Sequence, residues 1–157
     1  MKQHFVKVKS IRHITPEAKK KQLKEIETVK KNGTIEYGEK RVKTLFTPES
    51  FITMENEIAA IKEEIVNTSR QAIYNTLLAL AGRRETCSKL SEISVPVLIM
   101  VGKEDKITPP SAALMMHKKI EDSFLVIIDH AGHISNMENH TEFNFQLKKF
   151  ILSIQLR

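Results

Sequence analysis

Two continuous apolar runs constrain this chain most. "VPVLIMVG" occupies residues 95 to 102 and "SFLVIIDH" residues 123 to 130. Neither alternates apolar with polar positions, and Pro96 and Gly102 bound the first. Runs of this kind suit strands covered on both faces, as in parallel sheets. Between them "PPSAALMMHKKI" reads as a helix, with Pro109 or Pro110 at its start and Lys118 and Lys119 near its negative end. Strand, helix and strand with short connections make a parallel crossover unit, so an α/β fold is expected. A last amphipathic helix, from about Thr141 to Leu152, carries Phe143, Leu147, Phe150 and Ile151 to cover the sheet.

The upstream part reads as helical. Thr15 suits an N-cap, Pro16 the first helical position and Glu17 the positive helix end. The helix should run to Gly33, which can take a left-handed stop. Before it, "HFVKVKSI" alternates weakly, enough for a short strand. A Thr-Pro-Glu at Thr47 to Glu49 opens a second helical region. There Ile58, Ile61, Ile65, Ala72, Ile73, Leu77 and Leu80 recur at helical steps, on one long helix or two consecutive ones. Gly82 and the Arg83-Arg84 pair end it. The expected organisation is a strand and lead-in over 1–15, a helical region over 16–90, and a strand-helix-strand-helix core over 91–157.

Several function classes lose ground on composition. At 157 residues, 41% hydrophobic and 28% charged, the chain suits one ordinary folded domain. No stretch approaches the roughly 18 apolar residues of a membrane span, and "MKQHFVKVKS" lacks a signal peptide's apolar block. A cytoplasmic protein with no membrane partner is expected. Cys87, the single cysteine, fits a packing role in a reducing compartment. The net charge of +6 resides in stretches such as "AKKKQLKEIETVKK", where Glu25, Glu27, Leu23, Ile26 and Val29 interrupt the lysines. That is a solvated helix face, with no stacking aromatics or zinc-finger cysteines beside it, so no nucleic-acid partner is expected.

In open parallel sheets, functional groups gather just past the C-terminal ends of the strands. Two such loops exist: "GKEDKITPP" and "DHAGH". Adjacent strands would set them side by side, so Asp105 and His133 could meet. A carboxylate beside an imidazole fixes its tautomer and stabilises the imidazolium, as a general base for acyl transfer requires. Asp129, His130 and His133 do not converge as metal ligands, and "GKEDKIT" lacks the glycines of a phosphate loop. No metal and no cofactor is implied. Met115 and Met116 read as core fillers, and Phe46, Phe51, Ile73 and Leu77 are explained as core as readily as pocket.

"ISVPVLIMVGKEDKITPPSAALMMHKKI" followed by "AGHISNMENHTEFNFQLKKFI" resembles the C-terminal third of the α/β-hydrolase superfamily, especially its esterase, enol-lactonase and non-haem haloperoxidase-like members. Its Gly-x-x-Asp turn matches Gly102 to Asp105, and its Gly-His matches Gly132 and His133. Glu138, Phe143 and Asn144 match further recurring positions. His140 departs from the family's usual Pro, which affects only a helix start. Upstream, the resemblance implies the strand after the nucleophile helix and then a helical cap, here "LFTPESFITMENEIAAIKEEIVNTSRQAIYNTLLALAGRRE".

That resemblance implies a partial α/β-hydrolase fold: a short parallel sheet, flanking helices and a cap, with Asp105 and His133 as two members of a Ser-His-Asp triad. The third is missing. The family's nucleophile needs a Gly-x-Ser-x-Gly elbow or a small-flanked variant, and no such pattern stands here. Ser111 belongs to the helix after the acid loop, and Cys87 is flanked by Glu85 and Lys89. The His-Gly oxyanion loop is absent too. Three readings stay open. The first is the C-terminal portion of an ester or acyl hydrolase, inactive alone and acting on a small ester-like substrate once a nucleophile is supplied. The second is a non-enzymatic interaction protein on the same fold, and the third a basic binding module. An incomplete sheet also implies a homo-oligomer or a complementing N-terminal chain.

Overall fold

The computed structural model describes residues 16–83 and 87–155. The strand expected within residues 4 to 11 and the cap at Thr15 lie outside them. The described residues divide into two compact units, one of residues 16–44 and 48–83, the other of 45–47 and 87–155.

The first unit is helical. Helix α1 spans Pro16–Leu45 and bends at Gly33, whose φ of 83° and ψ of −170° interrupt the helical path. The left-handed glycine expected to stop a helix is therefore a kink between two helical segments, and the chain resumes its helix beyond it. Such a φ suits glycine because it has no Cβ to meet the backbone. Next come α2 (Ser50–Thr53), α3 (Glu55–Asn67) and α4 (Arg70–Ala81). The middle region is thus broken at Thr68 and Ser69. Ser69 accepts the Ala72 N–H through its side chain at 3.1 Å, a capping bond that starts α4. Ile26, Val29, Ile73 and Leu77 form this unit's core, with Tyr37, Tyr74 and Leu80 packed against it. Ala72 and Phe51, by contrast, are exposed.

The second unit holds the sheet. A 3₁₀ turn at Cys87–Glu92, which the sequence pattern does not announce, leads to β1 (Val97–Gly102). After it come α5 (Pro110–Lys119), β2 (Ser123–Ile128), α6 (Ser135–Glu138) and α7 (His140–Gln155). β1 and β2 pair in parallel, from Val97 opposite Ser123 to Gly102 opposite Ile128. Val97, Ile99 and Val101 share one face and bury against Cys87, Leu90, Ala113, Met116 and Ile120. Side chains alternate across a strand, so Phe124 lies on the opposite face, where its ring meets Phe150 of α7 edge to face at 5.7 Å. Full cover on both faces is met only in part: Phe124 and Ile127 remain exposed among the described residues. Met116 is buried, whereas Met115 is exposed and is not a core filler. Among the described residues, no helix is long and apolar enough to cross a membrane.

Candidate active site

The two strand-end loops meet because glycine lets them. A Cβ on Gly102 would lie 2.1 Å from the Gly132 carbonyl oxygen and 2.3 Å from that of Ala131. Only a residue without a side chain fits that approach. The loops are then stitched by backbone bonds: Lys103 N–H donates to Ile128 at 2.9 Å and Glu104 N–H to Ala131 at 3.0 Å. Outside this seam Lys103 pairs with Asp129 at 2.7 Å, on the surface.

Asp105 ends the tight turn from Gly102, its N–H donating to the Gly102 carbonyl at 3.1 Å. Its carboxylate is buried and fully engaged. Oδ1 accepts the N–H groups of Ile107 and Thr108 at 2.7 and 2.8 Å. Oδ2 accepts the Thr108 hydroxyl at 2.6 Å and lies 2.9 Å from His133 Nδ1. Burial pushes the Asp105 carboxyl up, but the bonds from His133 and from the Thr108 side chain and backbone, with the charge of His133, hold it below the ordinary aspartate value.

An ionised carboxylate only accepts, so the hydrogen between Asp105 and His133 must sit on Nδ1. In the neutral imidazole Nε2 then keeps its lone pair, the form a general base needs. The Thr108 hydroxyl has one hydrogen, and Asp105 takes it. Its oxygen, 3.3 Å from Nδ1, can therefore only receive a share of the imidazole N–H. A separate hydroxyl-imidazole contact, His117 Nδ1 to Ser123 Oγ at 2.9 Å, is a structural clip. The Ser123 hydroxyl also lies 2.7 Å from the Ile120 carbonyl, which can only accept from it.

Both Asp105 and His133 thus stand where the sequence pattern puts them, and together. Sequence reasoning missed Thr108 as a partner of both, although an Asp with backbone donors two and three positions later is a common turn signature. Glu138 is recognisable only as a recurring family position. The segment at Leu45 to Thr47, read in the sequence only as the approach to a helix, gives no sign of this contact, yet His133 N–H donates to the Leu45 carbonyl at 2.9 Å. Asn139 accepts the Glu142 N–H at 3.2 Å and so caps α7, with His140 simply its first residue. Among the described residues no cluster of His, Cys, Asp and Glu could hold a metal ion.

A parallel strand pair with a buried Asp-His couple past its C-terminal ends defines an α/β protein with a carboxylate–imidazole pair where open parallel sheets gather functional groups. The family model described as alpha/beta hydrolase fold matches residues 18–140. The chain belongs to that family. It is 32% identical over 93 residues to 3-oxoadipate enol-lactonase 1 of Acinetobacter baylyi, covering 59% of this chain and 34% of that protein. It is 25% identical over 111 residues to a pimeloyl-[acyl-carrier protein] methyl ester esterase of Neisseria meningitidis, covering 71% of this chain and 34% of the relative. A thermophilic esterase from Thermogutta terrifontis superposes with a TM-score of 0.84 at 26% identity, over 92% of this chain and 53% of that one. The chain therefore spans about a third of those two relatives and about half of the esterase.

Proposed function

We propose that this chain is the acid- and base-bearing portion of a carboxylic-ester hydrolase. Asp105 orients and stabilises His133, and His133 takes the proton of a nucleophile that this sequence does not contain. The 2.9 Å contact between Asp105 and His133 carries the proposal. It is supported by the esterase and enol-lactonase names of the relatives and by the absence of a Gly-x-Ser-x-Gly elbow in the sequence. The nucleophile comes from a complementing N-terminal segment or chain, and the short sheet also favours association into a homo-oligomer. The substrate is a small ester, and the single cysteine fits a cytoplasmic setting. Because a triad acts as a unit, this chain alone turns over little.

The test is intact-mass analysis of the purified 157-residue chain after a fluorophosphonate probe, with p-nitrophenyl acetate turnover in parallel. Asp105→Asn and His133→Ala serve as controls. No stoichiometric adduct and no turnover above the His133→Ala background are expected. Full labelling that disappears in His133→Ala would instead mean a complete hydrolase with its own nucleophile.

A further inference from the structure

Glu138 closes α6, five residues after His133, and both of its carboxylate oxygens are engaged by backbone. Oε2 accepts the Gly132 N–H at 2.7 Å, and Oε1 accepts the Thr47 N–H, also at 2.7 Å, across 91 positions of sequence. Beside this bridge, His133 N–H reaches the Leu45 carbonyl. The peptide before the base and the base's own peptide are thus both tied to residues 45–47, once through Glu138 and once directly. The joint is tight: a Cβ on Gly132 would lie 3.0 Å from the Leu45 carbonyl oxygen and 3.2 Å from Glu138 Oε2.

We propose that Glu138 is a positioning residue for His133, clasping the Gly132 and Thr47 N–H groups so that the imidazole is delivered to Asp105 in one orientation. The catalytic meaning rests on the proposed role of His133 as base; the geometric claim does not. Two donors facing one side chain require two acceptors. A carboxylate supplies them and gains charge-assisted strength, whereas an amide of the same shape supplies one oxygen and turns an NH₂ against the other N–H. Glutamine is therefore the informative replacement.

The experiment is NMR on the full 157-residue chain: amide hydrogen exchange at Gly132 and Thr47, and the imidazole ¹⁵N shifts of His133, which report its tautomer. In the wild type both amides should be protected and Nδ1 should carry the hydrogen. In Glu138→Gln, protection at one of the two amides should fall about tenfold or more, the factor for one charge-assisted bond. The His133 shifts should move toward a mixture of tautomers. Rapid exchange at either amide in the wild type overturns the clasp. Loss of protection with the His133 tautomer unchanged overturns the positioning role and leaves a purely structural bond. Should Glu138→Gln not fold, Gly132→Ala decides, since its Cβ loosens the same joint while leaving the carboxylate. A shifted tautomer is expected, and an unchanged one overturns the proposal. Neither readout needs turnover, so failure of the ester-hydrolase assignment would show separately.

Discussion

Asp105 Oδ2 lies 2.9 Å from His133 Nδ1 although 28 residues separate the two in sequence. The carboxylate that makes this contact has no water-facing side: two backbone N–H groups and one hydroxyl occupy its remaining acceptor positions. Asp105 and His133 are held as one unit by the meeting of two strand ends.

Asp105 should make stability depend on pH in acid. Its native value lies below the ordinary one, so the folded chain favours the ionised form. That contribution is present above the ordinary aspartate value of about 3.9 and is lost as pH falls through the lowered native value. Urea titrations followed by far-ultraviolet circular dichroism should show wild type well above Asp105→Asn at pH 6, with the gap closing below about pH 4. A gap that stays constant to pH 3 would contradict the ionised, fully bonded Asp105.

Thr108→Val removes the hydroxyl that donates to Asp105 at 2.6 Å while keeping the backbone donor. A destabilisation of about 1.5 kcal/mol is expected, the lower end for a bond to a charged group. Thr108→Ser should restore most of it. Denaturant midpoints of the two variants check both statements, and equal midpoints would remove the hydroxyl from the account.

Gly102→Ala places a methyl 2.1 Å from the Gly132 carbonyl oxygen, so backbone must move. The cost should approach about 3 kcal/mol, the upper part of the overpacking range. Gly82→Ala is the control, its nearest neighbour being the Leu78 carbonyl at 3.4 Å. It should fall within about 0.5 kcal/mol of wild type. A tolerated Gly102→Ala would mean the loops are not in contact.

Ser69→Ala should cost about 1 kcal/mol by freeing the Ala72 N–H, and Ser69→Asp should retain the cap. Thermal melts of the two variants, compared with wild type, check this against the alternative that α3 and α4 are separated by packing alone.

Much of the fold was legible because its signals are local. Uninterrupted apolar runs marked β1 and β2, paired prolines opened α5, and Thr141 to Leu152 fell within the span of α7. Chain order and strand ends then sufficed to bring Asp105 and His133 together. Gly33 shows the limit: its sequence signal was a left-handed glycine, and whether such a residue ends a helix or kinks one depends on the packing of the segment beyond it. Met115 and Phe51 show another, since apolar identity does not say which face of a short helix is covered.

What the sequence determined by itself, then, was the parallel strand-helix-strand unit and the placement of Asp105 and His133 at its strand ends, through hydrophobic patterning and turn chemistry that act within a few residues. Tertiary structure alone decided that the Thr108 hydroxyl oxygen lies against His133 Nδ1 and that Glu138 binds the His133 loop to Thr47. Those contacts depend on the close approach of groups up to 91 residues apart, and no local pattern encodes which buried N–H will need which acceptor.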